Sequence, residues 1–455
     1  MKYLSTRDHS LKKSFNEILY QGLSKDGGLY LPVEWPTIDI ENLQNKSYED
    51  VALEIIFPFI KENFSKQDLQ NILNESYANF RHEKRAPVKK LESNKYILEL
   101  IYGPTYAFKD YALQFLGKLF SNSLFKNPKK ITVLGATSGD TGSAAIHAFK
   151  TNQDINVFIL HPHKKVSSMQ QKQMTTVNES NIFNLAIDGN FDDCQKIVKE
   201  LFVDDDIQNK TSLTAINSIN WARLIAQVVY YFWSHLQIKN KDINFIVPSG
   251  NFGNIFSAYV AKQMGLPIKR LHVATNTNDI LKSIITNGQM TKKIVSQTYS
   301  PSMDIQISSN FERQMFESFD RDSDKVNNVF NEFYKTGNYL FSPDIINNFK
   351  KIYDASSIND EETLETIFKI FEKYNYISDP HTATGLKLLM DKNDDETWVS
   401  LACAHPAKFN SAVKKAINKE ADIPIELNNL FDKKEKMTIL PNNTDKVKNY
   451  LLENI

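Results

Sequence analysis

The sequence predicts an α/β protein built on open parallel sheets. Two stretches carry this prediction. Ile131-Thr132-Val133-Leu134 is a β-rich run. It leads into the loop Gly135-Ala136-Thr137-Ser138-Gly139-Asp140-Thr141-Gly142, a helical stretch at 143–150 and a second strand at 156–160. The same order returns as strand 243–247, loop 248–253, helix 254–264 and strand 269–274. A strand, crossover helix and strand in this order place the two strands parallel in one sheet. Ligands in such sheets bind at the carboxyl ends of the strands, where both loops fall. Length is the third observation: 455 residues, at roughly 100–200 per domain, imply two or three domains.

In chain order, residues 1–90 read as a mostly helical N-terminal region. Within it, Lys25-Asp26-Gly27-Gly28-Leu29-Tyr30-Leu31-Pro32 reads as a turn running into a short strand. Between Tyr48 and Phe80 the apolar spacing is helical, with a break expected at Pro58. Val88 and residues 96–100 read as strands. Residues 185–235 carry amphipathic helical patterns, clearest at 220–233. Residues 310–375 are charged and glycine-poor and read as a helical insertion. A late strand at 397–402 ends in Cys403-Ala404-His405-Pro406, and the tail beyond 410 reads as helical and polar.

Composition excludes several classes. Lys plus Arg and Asp plus Glu both count 54, so no overall charge favours nucleic acid or an anionic membrane. The 41% apolar fraction, with 29 Phe and 19 Tyr, supplies ample core. No apolar run approaches the ~20 residues of a membrane helix, and the first residues show no signal-peptide core. Cys194 and Cys403 are the only cysteines, which fits a reducing, cytoplasmic setting. His161 and His163 flank a proline without metal-site spacing, so no metal is expected. Glycine is scarce at 15, about half the usual ~7% share, yet Gly135, Gly139, Gly142, Gly250 and Gly253 cluster in the two loops. Such clustering suits tight turns or close backbone approach to a ligand.

Three segments carry chemistry. After Gly103-Pro104-Thr105-Tyr106-Ala107 the spacing turns helical, with Phe108, Ala112, Phe115 and Leu119 on one face. Lys109 opens that helix. Apolar walls and a helix N-terminus both disfavour an ammonium there, leaving the free amine that Schiff-base chemistry needs. The competing reading is an exposed lysine on an amphipathic helix. The loop 137–142 is neither a Walker loop nor a dinucleotide fingerprint. Its hydroxyls, Asp140 and backbone amides at a helix start suit a carboxylate or phosphate, or simply an N-cap. The loop Pro248-Ser249-Gly250-Asn251-Phe252-Gly253-Asn254 has no lysine, so it would cradle a phosphate by backbone donors, as a cofactor anchor does.

Gly103 to Asp110, the loops 136–142 and 248–253, and Ala404-His405-Pro406-Ala407-Lys408-Phe409 together resemble the threonine synthase family in its shorter microbial and fungal form. The opening Asp26-Gly27-Gly28-Leu29-Tyr30-Leu31-Pro32 is similar too, so the likeness spans nearly the whole chain. The resemblance implies a pyridoxal 5'-phosphate (PLP) enzyme of fold type II, with two open parallel-sheet α/β subdomains, the helical N-terminal region and the helical insertion. It implies a lyase acting on phosphates, converting O-phospho-L-homoserine and water to L-threonine and phosphate. Catalytic residues 91–405 would divide into a smaller subdomain at about 110–235 and a larger one of 91–109 plus 236–405, carrying the insertion at about 310–375; residues 406–455 would be the tail.

By resemblance, Lys109 is the Schiff-base lysine and the general acid and base. Gly250, Asn251, Phe252, Gly253 and Asn254 hold the cofactor phosphate. Thr137, Ser138, Gly139 and Thr141 clasp the substrate carboxylate. Asp140 stands where related fold type II enzymes often carry Asn, near the ring hydroxyl. Lys165, Ser167, Asn217 and Arg223 are candidates for the substrate phosphate, against a solvated turn at 164–165 and a surface position for Arg223. One residue departs from the family: Cys403 replaces the usual Thr beside the pyridine nitrogen, a weaker hydrogen-bond partner, or a packing cysteine. The short form suggests a monomer. The close alternatives are a fold type II phospholyase or an amino-acid dehydratase. A non-catalytic binding protein on the same scaffold is disfavoured by the intact lysine and loops.

Overall fold

The computed structural model describes residues 1–126, 130–239 and 242–455. Two parallel sheets organise them. The smaller runs, in spatial order, Thr438–Pro441, Ile182–Asp188, Ile155–Pro162, Ile131–Ala136 and Ser212–Ala215, all parallel. The larger runs Tyr353–Ser357, Ile268–Thr275, Ile243–Pro248, Trp398–Ala402, Lys95–Glu99 and Val88–Lys90, parallel except for the last pair. Central strands are buried on both faces, which explains unbroken apolar runs such as Val-Phe-Ile-Leu at 157–160. Both expected βαβ units are present. Helix Asp140–Phe149 follows strand Ile131–Ala136, and helix Gly253–Gln263 follows strand Ile243–Pro248.

One continuous apolar core joins the N-terminal region to both sheets. Its centre is helix Trp221–Ile238, which packs against Tyr48–Ile60, Lys109–Lys126 and Gly253–Gln263. The expected amphipathic stripe here is instead buried all round from 221 to 232, because neighbours cover every face.

The chain departs from the sequence reading at its edges. The N-terminal region holds helices Phe15–Gln21, Tyr48–Ile60 and Lys66–Tyr77, and also a three-stranded antiparallel sheet of Lys12–Lys13, Tyr3–Ser5 and Tyr30–Pro32. Pro58 does not break its helix, which ends two residues later at Ile60, so its lost hydrogen bond and its crowding of the Glu54 carbonyl fall in the last turn. Residues 310–375 contain helices Phe311–Ser318, Ser323–Thr336, Pro343–Ile352 and Asp360–Tyr374. They also contain Tyr353–Ser357, an edge strand of the larger sheet. The tail likewise contributes Thr438–Pro441 to the edge of the smaller sheet. Tyr353–Ser357 is polar and Thr438–Pro441 is only 4 residues long and half-exposed, so composition conceals the first and shortness the second. Among the described residues no helix is long and apolar enough to cross a membrane.

Candidate active site

Lys109 is the first residue of helix Lys109–Lys126, and the turn before it is tightly laced. Asp110, fully buried, accepts from the Thr105 amide and hydroxyl, both at 2.8 Å. A Cβ on Gly103 would lie 2.4 Å from that of Asp110, so the turn requires glycine. Phe108 N donates to Cys403 O at 2.8 Å and His405 N to Tyr106 O at 2.9 Å, which stitches the lysine segment to the end of strand Trp398–Ala402. Tyr106 sits at φ +62°, a conformation costly for a side-chain-bearing residue. Its hydroxyl donates to Glu426 at 2.8 Å, and the Arg81 guanidinium lies 3.8 Å over its ring. These contacts present the Lys109 amine beside Cys403. Burial pushes the Lys109 ammonium below its ordinary value, while the Asp140 carboxylate, 3.5 Å away, pulls it back up.

The first loop closes on itself. Thr137 Oγ1 accepts from the amides of Gly139 and Gly142, each at 2.9 Å, which shapes the loop and leaves its O–H as the donor a substrate carboxylate would take. Gly139, at φ +135°, caps helix Asp140–Phe149, and a Cβ there would strike Gln170 at 2.4 Å. The Ser138 and Thr141 hydroxyls, both half-buried, and the amides of Ser138, Asp140 and Thr141 have no partner among the described residues. Asp140 is buried. Burial alone would raise its pKa, but Lys408 and then Lys109 hold the carboxyl well below the usual range.

The second loop carries no charge. The amides from Gly250 to Asn254 donate to no acceptor among the described residues and converge on the start of helix Gly253–Gln263. A Cβ on Gly250 would lie 3.0 Å from Met303 Cα, a tight fit that would need the backbone at 303 to give by a few tenths of an ångström. Phe252 takes the left-handed conformation, φ +62°, and buries its ring edge-on against Phe311 and Tyr353. Its contribution to the loop is therefore its backbone. Asn251 is exposed; Asn254 is buried, its Oδ1 accepting from Tyr230 at 2.5 Å and Tyr231 at 2.7 Å, with Nδ2 unpartnered. Behind the loop, Asn310 donates to Asn251 O and Ser218 Oγ, both at 3.1 Å, and is held in turn by the buried Arg313 guanidinium.

Of the phosphate candidates, Arg223 is the one the fold buries. Its Nη1 donates to Ile216 O at 2.5 Å, its Nε has no partner, and burial lowers its pKa to about 10. Arg223 is near enough to Lys109 to push its ammonium down. A buried guanidinium without a carboxylate is poised for an anion. Lys165 and Asn217 are exposed, and Ser167 caps helix Ser168–Thr175, accepting from Gln170 N at 3.2 Å. The Cys403 thiol is buried and pushed up by burial, so it stays protonated; its Sγ lies 3.9 Å from Leu401 O.

Sequence reasoning missed several contributors. Lys408 lies fully buried with Nζ 2.7 Å from Asp140 Oδ1, and Gln170 Nε2 donates to the same oxygen at 2.9 Å. Tyr230, Tyr231 and Asn310 hold the second loop. Lys408 had a signal, since it lies in the quoted Ala404–Phe409 stretch; the others read as helix residues. Unspent amides at a helix start, a buried lysine leaning toward the free amine and an orphaned buried guanidinium are donors that PLP and a phosphorylated substrate would use.

Known proteins give the same picture. The family model "Threonine synthase N terminus" matches residues 2–77, "Pyridoxal-phosphate dependent enzyme" matches 82–332 and "Threonine synthase, C-terminal" matches 382–451. Threonine synthase of Pseudomonas aeruginosa is 40% identical, covering 99% of this chain and 98% of its own. That of Saccharomyces cerevisiae is 41% identical, covering 96% and 93%. The crystal structure of PLP-bound threonine synthase from Brucella melitensis superposes with a TM-score of 0.96 at 43% identity, covering 100% of this chain and 99% of its own. Threonine deaminase isoform 2 of Solanum lycopersicum, at 13% identity and a TM-score of 0.52, covering 80% of this chain and 87% of its own, shares the fold alone. The chain belongs to the threonine synthase family of PLP-dependent fold type II enzymes.

Proposed function

We propose that this chain converts O-phospho-L-homoserine and water to L-threonine and phosphate, with Lys109 holding PLP and moving the protons. The observation that carries this reading is a lysine tied to the end of strand Trp398–Ala402, with the Arg223 guanidinium acting on its charge and with the charge-free amides of 250–254 following the neighbouring strand Ile243–Pro248. When bound, PLP supplies the electron sink for carbanions at the substrate.

The chain's residues do the rest. Amides from Gly250 to Asn254, aided by the helix dipole, hold the cofactor phosphate without a cation. Cys403 would serve the pyridine nitrogen as a neutral partner, and Asp140 would stand by the ring hydroxyl. Ser138 and Thr141 take the substrate carboxylate through hydroxyls and free amides, on a loop shaped by Thr137 and Gly139. Arg223 holds the substrate phosphate at the γ carbon, with Lys165, Ser167 and Asn217 toward the rim. Lys109 takes a proton from the α carbon and then one from the β carbon. Phosphate leaves with the electrons of the γ carbon–oxygen bond, and protons return to the γ and α carbons. Water adds its hydroxyl at the β carbon while its proton goes to the released phosphate. A single base positioned within reach serves the successive transfers.

We keep residues 1–90 as an N-terminal region, 91–405 as the catalytic core and 406–455 as a tail whose strand Thr438–Pro441 extends the smaller sheet. A monomeric catalyst is what the shorter form of the family suggests. The two unpaired, buried cysteines fit a reducing cytoplasm. Incubation with O-phospho-L-homoserine tests the reading. Phosphate and threonine are expected in equal amounts; 2-oxobutyrate as main product, or phosphate without threonine, contradicts it.

A further inference from the structure

An ammonium group removed from water costs several kcal/mol unless it is paired and hydrogen-bonded. Lys408 meets that requirement inside the active site. Its Nζ lies 2.7 Å from Asp140 Oδ1 and donates to Thr105 O at 2.8 Å. Gln170 donates to the same Asp140 oxygen at 2.9 Å. Asp140 Oδ1 is thereby filled, and Oδ2 is left facing Lys109 Nζ at 3.5 Å. Thr105, the second anchor of Lys408, is bound by Asp110, the residue after Lys109. Lys408 therefore fastens both the carboxylate and the turn that carries the working amine.

The charge count matters more than the fastening. A buried carboxylate beside Lys109 needs a cation. If Lys109 were its only cation, Lys109 would have to remain an ammonium, and an ammonium is neither nucleophile nor base. We propose that Lys408 is a positioning residue that serves as the permanent counter-charge of Asp140, so that Lys109 is released to work as an uncharged amine. An asparagine at position 140 would need no such partner, so the Asp140–Lys408 pair is a charged replacement for a neutral side chain. This assignment rests on Lys109 being the cofactor lysine.

Four ionisable groups from separate elements bear on Lys109: Asp140 from helix Asp140–Phe149, Lys408 from the turn Pro406–Phe409, Cys403 from the end of strand Trp398–Ala402, and Arg223 from helix Trp221–Ile238. Burial lowers the Lys109 pKa most, Asp140 raises it, and Lys408 lowers it again. The protonated Cys403 thiol adds no charge, and Arg223 acts in the same direction as Lys408.

The test compares full-length wild type, Lys408→Met, Asp140→Asn and the double variant. In cofactor-free protein, competitive labelling with acetic anhydride across pH, read by mass spectrometry on the Lys109 peptide, gives the fraction of free amine. Lys408→Met should leave at least about tenfold less free Lys109 amine at pH 7 than wild type, the usual effect of an adjacent uncompensated carboxylate. The double variant should return to within about threefold of wild type, and Asp140→Asn alone should exceed it. The pH midpoint of the visible absorbance of the PLP-loaded protein should follow the same order. A Lys408→Met curve identical to wild type overturns the proposal, as does a double variant that titrates like Lys408→Met, because a purely structural lysine is not rescued by neutralising Asp140. Should Lys408→Met fail to fold, Asp140→Asn and the charge-neutral double variant decide: an unchanged Lys109 curve in Asp140→Asn also overturns it. Acetylation of Lys109 is read without substrate or cofactor, so it stands apart from the test of the overall reaction.

Discussion

The two glycine loops occupy equivalent places, each after a central strand and before a helix, yet they are built on opposite principles. The loop 137–142 is braced from within and carries a charge: Thr137 takes up the amides of Gly139 and Gly142, those of Ser138, Asp140 and Thr141 stay free among the described residues, and the Asp140 carboxylate is met by two lysines. The loop 250–254 satisfies nothing internally; its amides are unspent, and it is held from outside by Tyr230, Tyr231, Asn310 and Arg313. A group that must only stay bound can be gripped by fixed neutral dipoles, which need no protonation state. A site where protons move needs charges whose balance is set by neighbours. The difference divides the site into an anchor and a reaction side.

The sharpest break falls on the reaction side. Lys109→Ala should abolish the visible absorbance of bound PLP and lower turnover by at least about 10²–10⁴-fold, the usual contribution of a positioned acid–base group. Spectrum and product assay both read it.

Acid should weigh on the fold next. Burial, the leading cause for each, holds His147 at about 3 and His161, His272 and His405 at about 4, against an ordinary 6.5. In each case the unfolded chain binds the proton first. Stability is therefore full above about pH 6.5 and is lost as pH falls toward 4, by up to about 3 kcal/mol per residue. Asp110, raised by burial to about 6, works the other way across the same window and offsets one of them. Urea unfolding at pH 7 and pH 4.5 should show the net loss, and His405→Gln should reduce its slope.

Arg223→Met separates binding from folding. Loss of a charge-assisted contact, about 1.5–3 kcal/mol, should raise the KM for O-phospho-L-homoserine by roughly 10–100-fold. The melting temperature of the free protein should hold or rise, because an unpaired buried cation is gone. On the anchor side, Gly250→Ala forces a Cβ against Met303 and should weaken PLP binding about tenfold in equilibrium dialysis, with the turnover of the loaded enzyme little changed. Cys403→Thr should matter least: a better hydrogen-bond partner at the ring nitrogen changes kcat by less than about tenfold.

What the sequence made legible was local. Lys109 at a helix start, the glycine clusters and the flanking strands are patterns within a dozen residues, and the fold places them as that spacing implies. Lys408 shows the limit. As a residue type it is an ordinary surface cation. Its burial against Asp140 follows from the pairing of Tyr106 and Phe108 with His405 and Cys403, a contact between distant segments. Arg223 was legible as a phosphate candidate but not as a buried one, because periodicity does not reveal that three helices pack on its helix. The edge strand Tyr353–Ser357 went unseen because it has too few apolar residues to mark a strand, and Thr438–Pro441 because 4 residues are too short to show a period.

Two buried lysines flank one carboxylate, and only one of them is assigned the covalent role. Borohydride reduction of the PLP-loaded protein, followed by peptide mapping, distinguishes them directly. The pyridoxyl label is expected on the peptide containing Phe108-Lys109-Asp110; label on Lys408, on any other lysine, or on none contradicts the assignment of Lys109.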